Sequence, residues 1–127
     1  MREGVAEAMD IHQHREGGAI LRTDCAVPVA RVPDFIAAVS EATERLCPQA
    51  LAAFFGHIGD GNIHVNFLPR EGQATLPHGL SGVVEDIALQ LNGSVSAEHG
   101  IGLHKRAALA RMRPLEERAC MLRIKAA

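Results

Sequence analysis

The sequence predicts an α+β fold of the ferredoxin-like βαββαβ plan, with a four-stranded antiparallel sheet, two helices on one face and a helical tail at the C-terminus. Three observations lead there. Residues 19–27 alternate apolar and polar side chains. Residues 32–46 and 78–91 space their apolar side chains three and four apart. Between these two segments, two apolar runs flank the turn-forming string Gly59-Asp60-Gly61-Asn62.

Each element follows in order. Residues 1–11 read as a helix, and 12–18 as a polar connector ending in Gly17-Gly18. From Ala19 to Val27, Leu21, Thr23, Cys25 and Val27 fall on one face, and Arg22, Asp24 and Ala26 on the other. Pro28 ends this strand, and Pro33 sits in the first turn of a helix built on Phe35, Ile36, Val39, Ala42 and Leu46. Leu51–Ile58 and Ile63–Leu68 form a hairpin around a four-residue loop, and 69–77 connects it onward. Leu80, Val83, Val84, Ile87 and Leu91 make one helical stripe that Asn92-Gly93 stops. Ser94 to Glu98 supplies the fourth strand, Gly100-Ile101-Gly102 turns the chain, and a helix runs from about Pro114 to Ile124.

Composition narrows the function classes. A chain of 127 residues with 47% hydrophobic and 22% charged residues has enough apolar side chains for its own core and is not disordered. A net charge of −2, with no Trp and no Tyr, lacks the basic face and stacking platforms of a nucleic-acid binder, so none is expected as a partner. Cys25, Cys47 and Cys120 are odd in number and far apart, which excludes a disulfide framework and suits a reducing cytoplasm. No run reaches the roughly 18 apolar residues of a membrane span, although a longer parent is still free to dock on a membrane surface.

Chemistry concentrates on the hairpin. With residues 59–62 as the loop, His57 stands opposite His64, and Cβ atoms of directly opposed residues lie about 4.5–5.5 Å apart on one face. Alternation puts Phe54, Ile58, Ile63, Val65 and Phe67 on the helix-covered face, and Phe55, His57, His64 and Asn66 on the open one. In the last strand Val95 and Ala97 point inward, so Glu98 joins the histidines. Two imidazoles and a carboxylate with open positions form the donor set of a catalytic divalent-metal site. A pair of cross-strand histidines on a solvated surface fits the same spacing. His99, adjacent to Glu98, falls on the opposite face unless the glycines after it twist the strand end. If so re-aimed, it would be a general base for a hydroxyl proton. Arg22 offers a planar fork for a carboxylate, or an ion pair with Asp24.

Two strings carry a resemblance. Gly56-His57-Ile58-Gly59-Asp60-Gly61-Asn62-Ile63-His64-Val65-Asn66 and Gly93-Ser94-Val95-Ser96-Ala97-Glu98-His99-Gly100-Ile101-Gly102 resemble the two signature motifs of the C-terminal domain of FAD-linked oxidases. These belong to the vanillyl-alcohol-oxidase-like superfamily, in the group of D-lactate dehydrogenase, the glycolate oxidase flavin subunit and D-2-hydroxyglutarate dehydrogenase. Asp24-Cys25-Ala26-Val27-Pro28 and Arg31-Val32-Pro33-Asp34-Phe35 resemble the family's strand-to-helix segment.

The resemblance implies that His57, His64 and Glu98 are ligands of a divalent metal, usually zinc, that Asn66 contacts substrate, and that His99 deprotonates the substrate hydroxyl while hydride leaves for FAD. Arg2 resembles an arginine that holds the substrate carboxylate. Residues 1–127 would then be the substrate- and metal-binding domain of an FAD-dependent dehydrogenase that oxidises a D-2-hydroxy acid to the 2-oxo acid. The flavin-binding domain of the parent would lie outside this chain, leaving the fragment inactive alone. Arg22 replaces a lysine found in some relatives, and Ala6 stands near a threonine of others, so the substrate can differ. The alternative is a non-catalytic ferredoxin-like module that binds a small acid or forms a homodimer through sheet edges.

Overall fold

The computed structural model describes residues 4–16, 19–70, 76–77 and 79–127. Three strands form one antiparallel sheet: β1 (Leu21–Ala26), β2 (Ala50–His57) and β3 (Asn62–Pro69). β3 lies at the centre, in the order β1-β3-β2. Two helices, α2 (Val32–Leu46) and α3 (Gly79–Gln90), pack on one face, as their apolar spacing predicts. Phe35 and Val39 from α2, and Leu80, Val84 and Ala88 from α3, close on Cys25, Ile63, Val65 and Phe67 of the sheet. Each large side chain buried this way stabilises the fold by about 1.5–3 kcal/mol.

The hairpin register differs from the expected one by two residues. His57 pairs with Asn62 and Phe55 with His64, so the four loop residues are 58–61 rather than 59–62. The physical reason lies in the turn. Ile58–Asp60 coil into a 3-10 turn that Gly61 closes at φ 68°, leaving Asn62 free to begin the ladder. Ile58 is consequently in the turn and exposed, not in the core. Because strand faces alternate with period two, a slip of two preserves the face of every other residue. His57 and His64 therefore still share a face, as diagonal rather than opposed neighbours.

Among the described residues there is no fourth strand. Ser94 makes one antiparallel bridge to Ala26, with both backbone hydrogen bonds in place at 2.7 and 3.0 Å. Beyond it, the N–H groups of Ala97, Glu98 and His99 turn to the carboxylate of Asp24 instead of extending a ladder. Val95 is buried as expected, but Ala97 is exposed.

The opposite sheet face is not wholly open either. α1 (Gly4–Glu16) runs on through His12, His14 and Arg15, residues whose polarity suggested a connector. It docks on that face: Asn66 Nδ2 lies 3.4 Å from Met9 Sδ, and His12 Nε2 lies 3.2 Å from the Pro69 carbonyl. Met9 is buried there. After residue 102 come α4 (Arg106–Met112), absent from the sequence reading, and α5 (Leu115–Ala126), close to the helix expected over 114–124. α5 buries none of its residues. Arg2, Gly17-Gly18 and the centre of the expected 69–77 loop lie outside the described residues.

Candidate functional site

The site stands where the β2–β3 hairpin, β1 and the 94–100 segment meet. β3 directs His64 and Asn66 to the face away from α2 and α3, and β1 places Asp24 beside His64 and Arg22 beside Asn66. β2 adds Phe55, whose ring centroid is 5.1 Å from that of His64.

Glu98 reaches into this group. Its Oε1 lies 3.7 Å from Nε2 of His57 and 3.7 Å from Nε2 of His64, and it accepts a hydrogen bond from the buried Asn62 amide. The three residues named from the sequence thus converge. His99 also arrives, its ring stacked on His64 with centroids 5.6 Å apart and an interplanar angle of 22°. The coil that replaces the fourth strand re-aims it, since successive residues of a regular strand would put Glu98 and His99 on opposite faces. Gly100 at φ 73° and Gly102 at φ 52° turn the chain away immediately after it.

Asp24 organises this segment. Its side chain is 3% exposed, and Oδ2 accepts hydrogen bonds from the N–H groups of Ala97, Glu98 and His99 at 3.0–3.2 Å and from the Ser96 hydroxyl at 3.0 Å. Burial pushes the Asp24 carboxyl up, but the backbone N–H groups of His99 and Glu98, the Ser96 hydroxyl and the Lys105 charge together hold it below the ordinary carboxylate value.

A cleft of about 250 Å³ opens beside the imidazoles, with Met9, Phe55 and Asn66 on its walls and Arg22, His64 and His99 around it. Arg22 lies 3.6 Å from Asp10 of α1 rather than against Asp24, which is committed to the 96–99 backbone. A second cleft, about 560 Å³, lies on the other side of Glu98 and is lined by His57, Asp60, Asn62 and Ser96.

Two imidazoles and a carboxylate are donor types that divalent cations take. Ligands of a tetrahedral ion with bonds near 2.1 Å stand about 3.4 Å apart, and the two separations from Glu98 exceed that by a few tenths of an ångström. His57 and Glu98 are about half exposed, while His64 is only 14% exposed. Among the described residues, no group of three or more His, Cys, Asp or Glu side chains is so placed that it could hold a metal ion as it stands.

Alternation locates the face and puts Asp24 beside Arg22, but gives Asp24 no role at the histidines and does not point to Asn62, Met9 or Asp10. Asp24 carried a usable signal, an acidic residue on the same strand face as His64. Asn62 was assigned to the loop, and the α1 residues cross to the site through tertiary packing alone.

Fold and cluster together define an α+β unit whose polar sheet face gathers three imidazoles and a carboxylate beside an open cleft. This chain belongs to the family of FAD linked oxidases, C-terminal domain, whose model matches residues 1–127. It is 35% identical over 130 residues to a D-2-hydroxyglutarate dehydrogenase of Xanthomonas citri pv. viticola, a match covering 98% of the chain and 26% of the relative. To the mitochondrial D-2-hydroxyglutarate dehydrogenase of Bos taurus it is 32% identical over 127 residues, covering 99% and 22%. A D-2-hydroxyglutarate dehydrogenase of Stutzerimonas stutzeri (strain A1501) is 33% identical over 114 residues, covering 83% and 24%. The chain spans about a quarter of the length of these relatives. No helix among the described residues is long and apolar enough to cross a membrane.

Proposed function

We propose that residues 1–127 form the substrate- and metal-binding C-terminal domain of an FAD-dependent dehydrogenase that oxidises a D-2-hydroxy acid, with 2-hydroxyglutarate the first substrate to try. Its architecture is a ferredoxin-like plan with the fourth strand reduced to the bridge at Ser94. The observation that carries the reading is the convergence of Glu98 on both His57 and His64, with His99 stacked against the same imidazole.

His57, His64 and Glu98 would hold the divalent cation, zinc being the best fit to two imidazoles and a carboxylate with open positions. When bound, the cation supplies positive charge for hydroxyl and carboxylate oxygens, and a flavin held by another part of the parent supplies the two-electron acceptor. The chain's own residues do the rest. Arg22, and Arg2 outside the described residues, offer guanidinium forks for carboxylates, with Arg22 exchanging Asp10 for the substrate. The Asn66 amide donates a hydrogen bond that orients the acid. Phe55 and Met9 wall the cleft against water. His99 takes the proton from the substrate hydroxyl as the neighbouring C–H bond gives up its hydride.

In a polypeptide that also carries the flavin domain, His99→Gln should lower the rate of anaerobic flavin bleaching by D-2-hydroxyglutarate by about 10²–10⁴-fold, with flavin content unchanged. Bleaching at the wild-type rate would remove His99 from the reaction. Failure of every D-2-hydroxy acid to bleach the unmutated protein would overturn the whole reading.

A further inference from the structure

The Asp24 carboxylate is assigned no part in the reaction above, yet its two oxygens face different components of the site. Oδ2 is surrounded by donors: the N–H groups of Ala97, Glu98 and His99, and the hydroxyl of Ser96. Oδ1 is buried with no hydrogen-bond partner, and it lies 3.6 Å from Nδ1 of His64. That separation is just beyond hydrogen-bond length, and a small rotation of the imidazole closes it. Lys105 braces the arrangement from behind. Its Nζ donates to the carbonyls of Asp24 at 2.7 Å and Val95 at 2.6 Å, and lies 4.0 Å from Oδ2. The ammonium thus ties β1 to the start of the 94–99 segment and offsets the charge of the buried carboxylate.

We propose that Asp24 is the positioning residue of this site: Oδ2 folds residues 96–99 so that Glu98 and His99 face His64, and Oδ1 accepts the Nδ1 proton of His64. A neutral imidazole carries one ring proton. Holding it on Nδ1 leaves the Nε2 lone pair directed at Glu98 Oε1, the side on which a cation would sit. A carboxylate behind a ligating histidine is a general means of fixing its tautomer and raising its basicity. One carboxylate here also shapes the loop that delivers the second ligand and the base, so the order of Glu98 and His99 and the tautomer of His64 depend on one group. The affinity arm of this proposal rests on the reading of His57, His64 and Glu98 as a cation site; the tautomer arm does not.

Asp24→Asn separates positioning from mere structure. The amide is isosteric, so its carbonyl oxygen can remain among the N–H donors while its NH₂ turns to His64. Nδ1 must then accept, and the ring proton moves to Nε2. The test is long-range ¹H–¹⁵N correlation of the imidazoles in the metal-free 127-residue chain at about pH 8.5, some two units above the ordinary histidine value. The His64 signals are assigned by their loss in His64→Gln. The expected result is an Nδ1–H tautomer in the wild type, an Nε2–H tautomer in Asp24→Asn, and Co²⁺ affinity lower in the variant by roughly 10–100-fold. An Nε2–H tautomer in the wild type, which needs no variant to observe, would overturn the proposal. So would an unchanged tautomer in a folded Asp24→Asn chain. If the wild type shows Nδ1–H but binds no Co²⁺, the tautomer assignment stands and the cation reading fails.

Discussion

Gly61→Ala should destabilise the chain severely, whereas Gly59→Ala, two residues away in the same turn, should leave it nearly unchanged. Gly61 sits at φ 68°, a left-handed conformation that costs a residue with a Cβ about 1–2 kcal/mol. A Cβ built there would stand 1.9 Å from the Val27 carbonyl oxygen, so the turn and the β1–α2 connection must move apart. That movement breaks the 2.9 Å hydrogen bond from the Val27 N–H to the Gly61 carbonyl, worth about 1 kcal/mol. The sum is about 2–3 kcal/mol. At Gly59 nothing lies within 4 Å of the added Cβ, and the expected change is within about 0.5 kcal/mol. In urea, with a slope of about 1.5 kcal/mol per molar, the Gly61→Ala midpoint should fall by roughly 1.3–2 M. Fluorescence is unhelpful in a chain without Trp or Tyr, so circular dichroism is the assay. Equal midpoints for the two variants would refute the assignment of Gly61 as the residue that sets the hairpin register, and with it the placement of His57.

Other consequences are quick to check. Phe67→Ala opens a cavity between the sheet and its helices and should cost about 3–5 kcal/mol by denaturant unfolding, while Leu122→Ala on the exposed face of α5 should change stability by less than about 0.5 kcal/mol. Met9→Ala should cost about 2 kcal/mol or more and speed amide exchange in α1, because Met9 is a buried contact of that helix on Asn66. Of the three thiols, only Cys120 is exposed; Cys25 is pushed up to about 12 by burial, with the Asp24 charge adding to it. A thiol reagent at neutral pH should therefore modify one cysteine rapidly in the native chain and three after unfolding.

Alternation was sufficient to put Arg22 and Asp24 on one face of β1, and His64 and Asn66 on one face of β3, because face parity depends only on the period of a strand; the pairing of the two strands then joins them. Parity also survived the register slip, which is why His57 and His64 remain together. Register itself was not legible: the turn could close at Asn62 or at Gly61, and the choice depends on the left-handed backbone of Gly61 and its fit against Val27. Nor was the fate of residues 95–99, which have the pattern of a strand. Their N–H groups are drawn off by a carboxylate about seventy residues earlier in the chain, a competition that local propensity cannot register. The helix expected over 1–11 is α1, but its run through residues 12–16 was disguised by their polarity. Its docking through the buried Met9 is a tertiary contact.

Whether His57, His64 and Glu98 form one binding site is read from a Co²⁺ titration of the chain followed by ligand-field absorption. The expected result is one equivalent bound with a tetrahedral or five-coordinate spectrum, abolished by His64→Ala and weakened by Glu98→Gln in folded variants. An unmutated chain with no such spectrum, or a His64→Ala chain with the same one, would contradict it.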